Sequence, residues 1–155
     1  MKKQLVEKLN ILGYTLGSVE SLTAGLFAST ICSVPGASKV FKGALVTYDS
    51  SLKASLCNVS QETINQYGVV SFNTAVEMAS NGQKILGTDI CVSFTGNAGP
   101  SVLEGKPVGR IYIGLCLKGT TTTYEYNLSS LKEDARNDIR EQIVNHAIEL
   151  ILKNI

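Results

Sequence analysis

A short apolar run, Asp89-Ile90-Cys91-Val92-Ser93-Phe94, has the β-rich content of a strand buried within a sheet, with too little polar alternation for one face to sit in water. Such a strand needs covering layers on both sides, and helix-period segments stand before and after it. Across Phe72–Leu86 the residues Ala75, Met78, Ala79 and Leu86 trace one apolar face that Gly87 closes. Nearer the start, Leu5, Val6, Leu9 and Leu12 recur at helical spacing before Gly13. Near the end, Ser130-Leu131-Lys132-Glu133 reads as a capping box, and Ala135, Ile139, Ile143, Ala147, Leu150 and Ile151 continue it as a long helix.

Between these segments the chain alternates. Tyr14 to Val19 reads as a strand, Glu20 to Thr23 as a polar turn, and Ala24, Gly25, Ala28 and Ile31 as a small-residue helix. Gly43 to Tyr48 is the next strand, Leu52 to Cys57 a short helix, and Ser60 caps another that ends near Gly68. Arg110–Leu117 and Thr120–Leu128, separated by Lys118-Gly119, form a hairpin. The expectation is an α/β layered sandwich: a mixed, mainly parallel sheet covered by helices, with one antiparallel hairpin. No linker or repeat divides the 155 residues, so a single domain over 1–155 is expected.

Charge narrows the partners. Fourteen Lys and Arg against thirteen Asp and Glu leave +1, which gives no general attraction to nucleic acid or an anionic membrane. No run approaches the roughly 18 apolar residues of a membrane span, and the start, MKKQLVEKLNILG, lacks the core of a signal peptide. A small-molecule partner and a cytoplasmic setting fit. The one histidine, His146, excludes a His-rich metal site; it lies inside the terminal helix and reads as a structural or surface residue. Cys32, Cys57, Cys91 and Cys116 make no C-x-x-C pair and read as buried thiols. No metal or cofactor is indicated.

Chemistry is expected in three loops that follow strands, where ligand crevices form in open α/β sheets. The first, Val19-Glu20-Ser21-Leu22-Thr23-Ala24-Gly25, brings hydroxyls and small residues to a helix start, where free N–H groups can receive an anion or an oxyanion; the same residues equally suit ordinary N-caps. The second holds Tyr48 and Lys53 five positions apart. A lysine is a base when desolvation or a nearby cation lowers its pKa, yet spacing alone equally fits a surface lysine and a strand-end tyrosine. The third, Thr95-Gly96-Asn97-Ala98-Gly99-Pro100 with Gly105-Lys106-Pro107-Val108-Gly109, lacks the patterns of a P-loop and of a dinucleotide fingerprint. Asn97, Lys106 and its backbone amides can contact a polar ligand, or its glycines can simply turn the chain.

In this order the motifs Glu20-Ser21-x-Thr23-x-Gly25, Val46-Thr47-Tyr48 with Lys53, Gly96-x-Ala98-Gly99-Pro100, and Lys106-Pro107-Val108-Gly109, followed by Arg136-x-x-x-Arg140, resemble the CinA C-terminal domain family across nearly the whole chain. Its enzymatic members are nicotinamide-nucleotide amidases, which convert nicotinamide mononucleotide to nicotinate mononucleotide and ammonia without a metal. The resemblance implies Ser21 as nucleophile, Lys53 as base, Tyr48 as its assistant and Arg136 as a phosphate partner. It also implies a binding set of Glu20, Thr23, Gly25, Gly96, Asn97, Ala98, Gly99, Lys106 and Arg140, and a homo-oligomer, dimer or higher. For Lys53 to start neutral, crowding by Arg136 or by the substrate's pyridinium is the expected cause.

The chain departs from the family pattern in places. Ala24-Gly25 stands where a diglycine is usual, Ser101-Val102-Leu103-Glu104-Gly105 lacks paired glycines, and Glu133-Asp134-Ala135 precedes Arg136 in place of a Gly-Asp pair. Beside the amidase reading stand a nucleotide-binding domain without turnover and a competence-related interaction domain.

Overall fold

The computed structural model describes residues 1–155. β3 (Ile90–Gly96) occupies the middle of a five-stranded sheet. β1 (Leu16–Glu20) and β2 (Phe41–Val46) lie to one side of it, β4 (Arg110–Leu117) and β5 (Thr120–Asn127) to the other, in the order β2-β1-β3-β4-β5. β1 pairs in parallel with both β2 and β3, whereas β3–β4 and β4–β5 are antiparallel. Pairings are therefore evenly mixed, yet every strand except β4 runs in one direction.

Parity along β3 sets the two covering layers. Ile90, Val92 and Phe94 enter the larger core with α1 (Lys2–Leu12), α2 (Leu26–Cys32) and α6 (Ala135–Asn154). Cys91 points the other way, into a smaller core with Val19, Met78 and Ala79 under α5 (Phe72–Leu86). Two short helices, α3 (Ser50–Cys57) and α4 (Gln61–Tyr67), pack on α5. Glycine lets α5 come close: a Cβ on Gly82 would meet Val19 Cγ2 at 2.3 Å, and one on Gly114 would meet the Ala75 carbonyl at 2.4 Å.

Helix starts differ from the pattern for local reasons. α2 begins at Leu26 because Ala24 and Gly25 are both left-handed, with φ of 47° and 93°. α6 begins at Ala135, where the Asp134 carboxylate accepts the Asn137 amide; the Ser130 hydroxyl only closes a tight turn by accepting the Lys132 amide. β1 starts at Leu16 since Thr15 is held by the Asp89 side chain, its amide at 2.8 Å and its hydroxyl at 2.9 Å. Cys32 is exposed at the end of α2, and the other three cysteines are buried.

Candidate active site

The three strands that run together, β2, β1 and β3, end at one edge of the sheet. From β1 the chain turns back to β2, and from β3 it goes on to β4, so the crevice beyond β1 and β3 is where connections diverge. Ser21 stands there directly after β1, its amide bonded to the Phe94 carbonyl at 3.2 Å. It opens into a cavity of about 310 Å³ that it shares with Leu22, Tyr48, Asp49, Ser50, Gly96, Asn97, Ala98, Ser101, Val102, Leu103 and Arg136. That size suits a small ligand.

Lys53 reaches Ser21 from below. Asp49 caps α3 by accepting the Ser51 amide, and one turn later Lys53 points inward, 1% exposed. Its Nζ lies 3.1 Å from Ser21 Oγ and donates to the Thr47 carbonyl at 2.9 Å. Burial pulls the ammonium down to about 8, against the carboxylates of Asp49 and Glu104 and the Cys57 thiol, which pull it up. The expected crowding by Arg136 is not the cause: the neighbouring charges oppose the shift, and lost hydration produces it.

Tyr48 is 56% exposed, and its hydroxyl accepts from Arg136 Nη2 at 3.0 Å rather than meeting Lys53. Arg136, in the first turn of α6, also donates Nη1 to the Gly99 carbonyl, so one guanidinium joins the second loop to the third at the cavity mouth.

Several residues expected at the ligand are turned elsewhere. Glu20 is fully buried on the α2 side, where its carboxylate accepts the amides of Gly25, Phe27 and Ala28 at 3.0–3.1 Å and the Ser18 hydroxyl at 2.9 Å. It therefore occupies the helix-start donors that were expected to face an oxyanion, Gly25 among them. Ala24 and Leu26 donate to the Ser21 and Thr23 carbonyls, leaving the amides of Leu22 and Thr23 as the unpaired ones of the turn. The Thr23 side chain is buried without a hydrogen-bond partner.

Arg140, one helical turn beyond Arg136, places Nε on the Leu22 carbonyl and Nη2 on the Thr23 carbonyl, both at 2.9 Å. It grips the turn that carries Ser21 and does not line the cavity. Lys106 points to the segment between α4 and α5, donating to the Val70 carbonyl and lying 3.8 Å from Glu104. Asn97 lines the cavity, but its amide group is used to hold the loop, donating to Leu103 and Lys106 carbonyls and accepting the Leu103 amide. Gly96 and Ala98 form the wall beside it. His146 stands away, 4.9 Å from the Tyr126 ring.

Asp49, Ser50 and Glu104 are among the residues at the site that the expected set lacked. Asp49 and Ser50 line the cavity beside Tyr48, and Glu104 accepts the Val69 and Val70 amides while bearing on Lys53. The cap position just ahead of α3 was the available signal for Asp49.

The whole chain, residues 1–155, matches the family model for the CinA C-terminal domain. It is 47% identical over 150 residues to a competence-damage inducible protein of Limosilactobacillus fermentum and 45% identical over 152 residues to that of Limosilactobacillus reuteri. In each case 97% of this chain is matched to 36% of the relative, so it spans about a third of their length. A competence or damage-inducible protein from Enterobacter asburiae, with a solved crystal structure, superposes with a TM-score of 0.93 at 27% identity, covering 99% of this chain and 94% of that one.

Proposed function

The chain belongs to the CinA C-terminal domain family, and on that premise we propose that it hydrolyses the carboxamide of nicotinamide mononucleotide, giving nicotinate mononucleotide and ammonia in pyridine-nucleotide recycling. One observation carries the chemistry: a buried amine 3.1 Å from a hydroxyl at the floor of a ligand-sized cavity. The choice of nucleotide rests on the resemblance of the motifs.

An unactivated serine is a poor nucleophile at neutral pH and needs a base beside it. A lysine titrating near 8 is neutral about one part in ten at pH 7, against about one in 3,000 for a free lysine. The Thr47 carbonyl holds one N–H of the neutral amine, so its lone pair can accept the Ser21 proton as Oγ bonds to the carboxamide carbon. The carbonyl oxygen then carries negative charge, and the unpaired amide of Leu22, which lines the cavity, is the donor at hand. As the C–N bond breaks, the Lys53 ammonium returns the proton to the departing ammonia. Water then enters and gives a proton to Lys53 as its oxygen bonds to the acyl carbon; the bond to Ser21 Oγ breaks, Lys53 returns the proton to that oxygen, and nicotinate mononucleotide leaves. Arg136 retains free N–H groups at the mouth for a phosphate, for which a guanidinium fork is suited. Tyr48 holds Arg136 in place in this scheme.

A cytoplasmic setting and a homo-oligomer, dimer or higher, belong to the same reading, and sedimentation tests the second. No helix is long and apolar enough to cross a membrane. The decisive assay is ammonia release from nicotinamide mononucleotide. It should disappear in Ser21→Ala and Lys53→Ala with the fold intact, and full activity in both variants removes the assigned roles.

A further inference from the structure

The cavity mouth carries more charge than helix capping requires. Asp49 Oδ1 accepts the Ser51 amide at 2.9 Å and the Ser51 hydroxyl at 2.5 Å, while Oδ2 has no partner. Those two bonds hold the carboxyl below the usual carboxylate range, so it is ionised at neutral pH. Capping alone does not need that ionisation, since neutral Asn and Ser cap helices about as well as Asp. Asp49 is an exposed residue at the mouth of a cavity among whose lining residues it is the only carboxylate and Arg136 the only guanidinium.

A substrate whose carboxamide lies on Ser21 brings its ring nitrogen, in the meta position, to within a few bond lengths of the reacting carbon. When that nitrogen is quaternary the ring is positive. It then shares the cavity with Arg136 and comes near Lys53, whose Nζ lies behind the lining 3.1 Å from Ser21 Oγ and is protonated most of the time at pH 7. Like charges at that range oppose binding unless an anion stands among them. Tyr48, 56% exposed and adjacent to Asp49, adds an aromatic surface that attracts cations.

Resting on the amidase reading above, we propose that Asp49 is a specificity-determining residue, whose carboxylate selects a cationic heteroaromatic ring over a neutral ring of the same shape. Arg136 answers the phosphate, which both forms of the ligand carry. The discrimination therefore comes from the Asp49 side of the cavity.

The test compares nicotinamide mononucleotide with its 1,4-dihydro form, which keeps the phosphate, ribose and carboxamide but has an uncharged ring. Dissociation constants are measured calorimetrically at pH 8 on Ser21→Ala, which stops turnover, with and without Asp49→Asn, which keeps the cap and the shape. Removing the charge should weaken the cationic ligand about three- to fivefold at low salt, and change the dihydro ligand less than twofold. The gap should narrow in 1 M salt. Equal weakening of both ligands, or no change in either, overturns the inference and leaves the amidase reading standing. No binding of either ligand, together with no ammonia release by the unmutated protein, overturns both.

Discussion

Replacing Lys53 by Met should alter stability in opposite directions at the two ends of an accessible pH range. Met keeps the length of the buried stem but removes the amine. The native pKa is depressed from 10.5 to about 8, so the folded state disfavours the ammonium. Below pH 8 both folded and unfolded chains carry the proton, and the folded one bears the full penalty. From 8 to 10.5 the folded chain releases it while the unfolded chain keeps it, and stability rises with pH. The whole penalty is about 3 kcal/mol, from a difference of two to three pKa units at 1.36 kcal/mol each. Met never bears that penalty, but it leaves the Thr47 carbonyl without its donor, at a cost of about 1–3 kcal/mol. At pH 7 the two effects nearly cancel or favour Met, whereas at pH 10.5 only the loss remains and the variant is the less stable protein. With about 2–4 °C per kcal/mol for a chain of this size, the melting-temperature difference between variant and parent should move by about 6–12 °C between those pH values. Other groups that titrate there are common to both proteins and cancel. Melting curves whose pH dependences run parallel would refute the depressed pKa, and with it the account of how Ser21 is activated.

Turnover should follow the same group: kcat/KM for ammonia release should climb with pH and level off above about 8, and a flat profile from 6 to 9 counts against the neutral amine as base. Arg140→Ala frees the Leu22 and Thr23 carbonyls, so kcat should fall about tenfold to a hundredfold with KM little changed, and Arg140→Lys should recover part of it. A rise in KM at constant kcat would instead make Arg140 a substrate ligand.

The layered fold was legible because its signals are local. The Phe72–Leu86 helix and the β3 apolar run follow from spacing alone, and the structure places both within a residue or two. Lys53 was not legible in that way. Its spacing from Tyr48 fitted a surface lysine, and its burial depends on α3 lying against α5, a contact between segments distant in sequence. The motif resemblance nominated the residue but left the cause of its altered pKa open between a nearby cation and loss of water, since both push a lysine the same way, and burial selects the second over crowding by Arg136.

Glu20 is the converse case, a residue whose surroundings were partly legible and were read for their polarity instead. It shares parity with Leu16 and Ser18 in β1, so its side chain had to leave the sheet on the face of the larger core, away from Ser21's crevice. A carboxylate buried there needs donors, and the start of α2 supplies them. The consequence reaches the chemistry. With Glu20 occupying the helix-start amides and Arg140 occupying the turn's carbonyls, the donors left to Ser21's turn are the amides of Leu22 and Thr23. Charged side chains that do not line the cavity thus determine which amides of the turn stay unpaired, and of these two residues Leu22 lines the cavity.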